Sequence, residues 1–218
     1  MSFAQDRHSD SPENPGRTHW VRALAVGASV ILLSAVVEYP LSDLIQSRYP
    51  DRPKPDDLLF NLLPHWPSWQ FVVEAIYIAG AVLMGIYVFR HAIKRIPEIL
   101  ALFGIMELGR ALTMVLTPLA APYDEATHVG VEGVRNWGEF PSGHAATFLL
   151  YYLIVDEEVS PGIKKALRIM LFAEIVALLI SHSHYSIDIV GGLLLGYIVY
   201  HEYYEGRAFN WLKPWLKV

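Results

Sequence analysis

The chain has 218 residues, of which 53% are hydrophobic and only 18% charged, and its mean hydropathy is positive. That balance is unusual for a water-soluble domain and points to a membrane protein. A net charge of -5, spread without a basic block, sets aside nucleic-acid binding, and the lack of cysteine excludes disulfides, thiolate metal sites and a cysteine nucleophile.

In chain order, residues 1–18 are polar and read as a flexible tail. No small-residue cleavage site follows the first apolar run, so a signal peptide is not expected. A membrane helix needs about 20 largely apolar residues. Six runs approach that pattern: Trp20 to Val37, Trp69 to Val88, Ile96 to Leu116, Ser142 to Val155, Ala166 to Ile180 and Tyr185 to Tyr200, the fourth and fifth being short. The connections Pro40 to Trp66 and Pro118 to Pro141 are too short for a separate domain. The expected fold is therefore all-α: a polytopic membrane protein with six transmembrane helices over residues 19–205, followed by a tail at 206–218.

Lysine and arginine set the expected orientation. Arg7, Arg17, Arg22, Arg90, Lys94, Arg95, Lys164, Lys165, Arg168, Arg207, Lys213 and Lys217 all fall on one side of a six-helix layout, twelve of the 17 in the chain. The other side has Arg48, Arg52, Lys54 and Arg135, with Arg110 near a helix end. By the positive-inside rule both termini are cytoplasmic. The sequence SHSHYSID at 181–188 and FPSGHAATF at 140–148 then share the exoplasmic surface.

If the chain is helical from Tyr185, His184 and Asp188 stand four residues apart on one helix face. An aspartate bonded to one imidazole nitrogen fixes the tautomer and leaves the other as an oriented nucleophile or base. The blander reading is a histidine at a helix end among lipid headgroups, although ionisable groups within membrane segments favour function. Zinc is a further reading, but His182 and His184 are two apart and point to nearly opposite helix faces. A bis-histidine haem bundle would need facing mid-helix histidines, and the pattern offers none. At the other motif, Pro141 stops a loop, Ser142 is a good N-cap and Gly143 lets backbone approach a ligand, so the helix start presents N–H groups to an anion such as phosphate. His144 follows, placed to give a proton to a departing oxygen.

Pro141-Ser142-Gly143-His144 followed by His184-x-x-x-Asp188 resembles the second and third signature motifs of the type 2 phosphatidic acid phosphatase superfamily of membrane phosphotransferases. The sphingomyelin synthase branch is the closer likeness, through Arg110-Ala-Leu-Thr113-Met114, Thr117-Pro118-Leu119, His182-x-His184-Tyr185-Ser186-Ile187-Asp188, and the proline-and-acid stretch Pro53-Lys-Pro55-Asp56-Asp57. The resemblance runs from Pro53 to about Tyr203 and implies a six-helix fold. It departs from the superfamily phosphatases at two cation positions: Leu178 replaces an arginine six residues before His184, and Thr117-Pro118 replaces Arg-Pro. A phosphomonoester carries roughly -1.5 to -2 charges near neutral pH, against one for a diester. A cation about 4 Å from an anion is worth about 4 kcal/mol at an effective dielectric near 20, before solvation costs. Two missing cations therefore favour a diester.

The resemblance implies that His184 attacks the phosphorus of a phosphodiester lipid, Asp188 orients it, and His144 serves as acid and then base. Arg110, Ser142 and Gly143 would bind the phosphoryl oxygens, with His182 and Tyr185 in support. Donor phospholipid and lipid alcohol acceptor are the implied partners, within the bilayer, and no metal or other cofactor is implied. A lipid phosphatase, with water as acceptor, is the related alternative; a non-enzymatic haem- or lipid-binding bundle is the remote one. Trp137, Glu139 and Phe140 could receive a cationic head group, or could form an interfacial aromatic belt with a solvated carboxylate. His65, His91, His128 and His201 read as surface groups. Glu74, Glu107 and Glu174 lie inside apolar segments, and Glu107, one turn from Arg110, has the one partner readable from spacing.

Overall fold

The computed structural model describes residues 15–122 and 140–217, and these form helices and turns with no strand among them. The helices are α1 (Pro15–Arg48), α2 (Leu58–Leu62), α3 (Gln70–His91), α4 (Ile96–Leu116), α5 (Gly143–Ile154), α6 (Pro161–Ile180), α7 (Ser186–Tyr204) and α8 (Lys213–Leu216). Single 3-10 turns at Pro67–Trp69 and Ile93–Arg95 lead into α3 and α4.

α5 is the hub. It touches α3, α4, α6 and α7, while α1 packs on the outside of α4 and α6 closes against α3. Its sequence explains the position: Ala145, Ala146, Phe148, Leu150 and Ile154 are all buried, so apolar side chains face neighbours on more than one side. Two helix pairs come together through glycine. Gly104 of α4 lies on α1, where an added Cβ would stand 2.7 Å from Ile31 N. Gly192 of α7 faces the Ser142 carbonyl, and a Cβ on Gly196 would stand 2.9 Å from the Ala146 oxygen. Small residues one turn apart let backbones approach closely, the packing favoured between helices in lipid.

Among the described residues, three helical segments are long and apolar enough to cross a membrane: Thr18–Arg48, Pro67–His91 and Ile93–Leu116. Gly143–Ile154 is apolar but short. The chain is thus an all-α membrane protein. α6 and α7 were expected among the six spans, α6 as a short one, but both fall outside that group, since Lys164, Lys165, Arg168 and Glu174 interrupt α6 and Asp188, His201 and Glu202 interrupt α7.

Two boundaries differ from the pattern-based expectation for physical reasons. α1 does not stop at Val37 but runs through Pro40 to Arg48, because Leu41 and Ile45 pack on Ala111 and Met114 and keep the last turns in place. α6 starts at Pro161, five residues early, with proline in its first turn where the missing N–H costs nothing. Lys164 there donates to the carbonyls of Tyr152 and, at 2.8 Å, Val155, satisfying the end of α5. At the same end of the bundle Arg95 reaches Glu98 at 2.9 Å, the Tyr204 hydroxyl at 2.7 Å and the Ile154 carbonyl at 3.4 Å, joining α4, α5 and α7.

Glycine contacts of this kind have a sharp test. Gly192→Ala gains about 1 kcal/mol of helix propensity yet forces a methyl onto the Ser142 carbonyl, and overpacking costs about 1–3 kcal/mol. Its thermal midpoint in detergent falls below that of the wild type, whereas Gly85→Ala, with open space around it, leaves the midpoint unchanged or higher.

Candidate active site

The start of α5 is built as its sequence demands. Ser142 is the N-cap, and its Oγ accepts the Ala145 N–H at 3.3 Å. Its own N–H donates to the Asp188 carbonyl at 2.9 Å, which fastens this helix start to the first turn of α7. Gly143 adjoins Arg110 of α4, and a Cβ at 143 would stand 3.2 Å from Nε. Glycine here leaves room for close approach of the cation.

The start of α7 is capped from within. Asp188 Oδ2 accepts the Tyr185 N–H at 3.0 Å, and the Asp188 N–H donates to the Tyr185 carbonyl at 3.0 Å. His184 precedes the cap, so its alignment with Asp188 comes from this reciprocal capping and not from the helical stacking expected from spacing. The two side chains still approach each other, with His184 Nδ1 at 3.5 Å from Asp188 Oδ2, within ion-pair distance but short of the hydrogen bond expected between them. Nε2, on the far side of the ring, is turned away from the carboxylate. Asp188 is wholly buried, and among the described residues its Oδ1 makes no hydrogen bond. A buried carboxylate so poorly satisfied is costly, a strain found at catalytic sites.

Across the gap, the His144 ring lies 6.1 Å from the His184 ring, centroid to centroid, and 4.7 Å from Tyr77 of α3. Arg110 completes the cluster: Nε donates to the Pro141 carbonyl at 3.3 Å, Nη1 bonds Glu38 of α1, and Glu107 is 3.7 Å away. Glu107 was legible as a partner from its spacing; Glu38, the nearer one, was not. The structure thus brings Arg110, Ser142, Gly143, His144, His184 and Asp188 together.

The remaining expected residues divide. His182 points elsewhere: held at a φ of 53°, it stacks on Phe60 at 4.1 Å and on His65 at 4.6 Å. His65 is exposed, as expected of a surface group, and also serves as a stacking partner, while the half-exposed His201 pairs with the exposed Glu205 at 3.0 Å. Tyr185 is buried, with its ring 5.6 Å from Phe60. Phe140 packs over Gly191. Trp137, Glu139 and His128 lie outside the described residues. Glu74 accepts from Gln70 at 3.3 Å, and Glu174 is fully buried with no hydrogen bond among the described residues. No three His, Asp or Glu side chains of the described residues converge as metal ligands.

Asp57 was quoted in the sequence only as part of an acidic stretch. Its Oδ1 accepts from Leu59 at 2.9 Å, capping α2, and its Oδ2 accepts from Ser186 at 2.5 Å, in the first turn of α7. One carboxylate thus ties the 49–57 segment to the His184 turn, where the helix dipole also favours it.

Residues 140–205 match the PAP2 superfamily C-terminal family. The match runs from Phe140 to Glu205, covering α5 to α7 and both histidine motifs, and supports the type 2 phosphatidic acid phosphatase superfamily, whose members are phosphatases or phosphotransferases. Among curated proteins none matches the chain.

His182 carries a pH prediction. Burial, then the neighbouring His65, push its imidazole below the usual histidine range. The folded state prefers the neutral ring, so this stabilisation is complete above the unfolded value of about 6.5 and is lost as pH falls through the lower folded one. Lowering the pH from neutral to acid therefore reduces the wild-type melting temperature more than that of His182→Asn, since asparagine tolerates the left-handed backbone without titrating. Equal slopes would remove His182 as a contributor.

Proposed function

We propose that this protein is a phospholipid head-group transferase similar to the sphingomyelin synthases, moving a phosphodiester head group of phosphocholine or phosphoethanolamine type to a lipid alcohol such as ceramide or diacylglycerol. The observation that carries this reading is the Ser142 N–H bond to the Asp188 carbonyl, which sets an anion-accepting helix start with His144 opposite the His184–Asp188 pair. Leu178 supports a diester over a monoester, because its position is wholly buried against apolar neighbours including Val73 and Ile189 and supplies no charge.

In this reading His184 Nε2 attacks phosphorus, forming a P–N bond as the P–O bond to the departing diacylglycerol breaks. His144 gives that oxygen its proton. In the second half-reaction His144 takes the proton from the acceptor hydroxyl, whose oxygen forms a new P–O bond while the P–N bond breaks. Arg110, the Ser142 hydroxyl and the Gly143 amide stabilise the phosphoryl oxygens, and Asp188 stabilises the charge on His184. Tyr185 and His182 support the turn that carries His184. Six membrane crossings with cytoplasmic termini and an exoplasmic site complete the proposal. The alternation of helix ends supports it: 91–96, 154–161 and 204–213 gather at the Arg95 and Lys164 end, and 48–70 and 180–186 at the histidine end.

Detergent-solubilised protein given head-group-labelled phosphatidylcholine, with and without ceramide or diacylglycerol, tests the reading; label released only as phosphocholine, with none passed to an acceptor lipid, would favour the alternative in which water is the acceptor and defeat the transferase. His184→Ala abolishes transfer, His144→Ala lowers it by about 10^2- to 10^4-fold, and Asp188→Asn lowers it by roughly 10^4-fold. Wild-type turnover in His184→Ala would refute the nucleophile assignment.

A further inference from the structure

Arg110 is bound more tightly than a waiting phosphate ligand needs to be. Its guanidinium and both neighbouring carboxylates are largely buried, with side-chain exposures of 14% for Arg110, 13% for Glu38 and 26% for Glu107. Counted at formal charges, one cation faces two anions before any substrate arrives. Nε is taken by the Pro141 carbonyl and Nη1 by Glu38, while among the described residues Nη2 makes no hydrogen bond. A guanidinium is planar, and Nε–H and an Nη2–H share one edge. Nη2 therefore lies on the edge that Nε anchors to the Pro141 carbonyl, just before the Ser142 cap.

We infer that Glu38 is a specificity-determining positioning residue: by holding Nη1 and offsetting the guanidinium charge, it leaves Arg110 the Nη2 amino group for a singly charged phosphodiester and disfavours a dianionic phosphomonoester. The inference rests on the reading of Arg110 as a phosphate ligand. Glu38 lies on α1, outside the 140–205 match, and touches no reacting atom; it acts through Arg110 alone. Its effect must therefore fall on the charge of the anion selected, and not on whether the site can bind at all. Glutamine at 38 retains an oxygen for Nη1 and so keeps the fork in place while removing the charge. Aspartate keeps the charge at shorter reach.

The test compares methyl phosphate with dimethyl phosphate, which differ by one ionisable oxygen, at about pH 8, where the monoester is a dianion. Affinity is read from the concentration dependence of the thermal midpoint of the full chain in detergent. Glu38→Gln is expected to shift the methyl-to-dimethyl affinity ratio toward the dianion by about tenfold, and Glu38→Asp to leave it near the wild-type value. Should Glu38→Gln not fold, Glu38→Ser reads the same ratio, with water replacing the carboxylate. An unchanged ratio in a folded, charge-neutral variant overturns the inference, as does a shift of equal size in Glu38→Asp or failure of both anions to bind wild type and variant alike. Because binding is read without turnover, a shifted ratio in a protein that transfers no head group would sustain the role of Glu38 while removing the transferase reading.

Discussion

The hydrogen bond from the Ser142 N–H to the Asp188 carbonyl is the joint on which the site depends. Each partner does two things at once. Ser142 caps α5 through its hydroxyl while its backbone reaches α7; Asp188 caps α7 and contacts His184 through its side chain while its carbonyl receives α5. The two helix starts therefore cannot shift independently. A displacement of α5 would strain the capping turn that orients His184, and unravelling of that turn would remove the acceptor that holds Ser142.

Side chains from outside the matched region secure the joint. Asp57 anchors the loop before α2 to the first turn of α7, and Phe60 and His65 sandwich His182, whose left-handed backbone would otherwise be an unsupported strain. At the far end, Arg95 and Lys164 close the last carbonyls of α5 and tie them to α4, α6 and α7. α5 is short, but both of its termini are fixed by named contacts.

What was legible in the sequence, and what was not, follows from the range of the interactions. His184 with Asp188, Ser142 as a cap and Glu107 beside Arg110 are local pairs, within four residues, and helix geometry exposes them to inspection. Glu38 meets Arg110 across 72 residues and Asp57 meets Ser186 across 129, and no periodicity encodes such partners. The end of α1 was misread because Glu38 and Pro40 look like a membrane boundary when Leu41, Ile45 and their partners on α4 are out of view. Gly192-x-x-x-Gly196 was a readable signal passed over, since a small residue every fourth position marks a helix face meant for close contact.

That glycine face has a consequence in entropy. Where large side chains separate two helices, their spacing is an average over whatever rotamers those side chains sample, and freezing each rotamer-rich side chain costs up to about 2 kcal/mol. Between α5 and α7 the separation is set by Gly192 on the Ser142 carbonyl and Gly196 on that of Ala146, atoms that have no rotamers to freeze. The distance between the two histidine motifs is thus measured in backbone, and side-chain disorder has little means of blurring it.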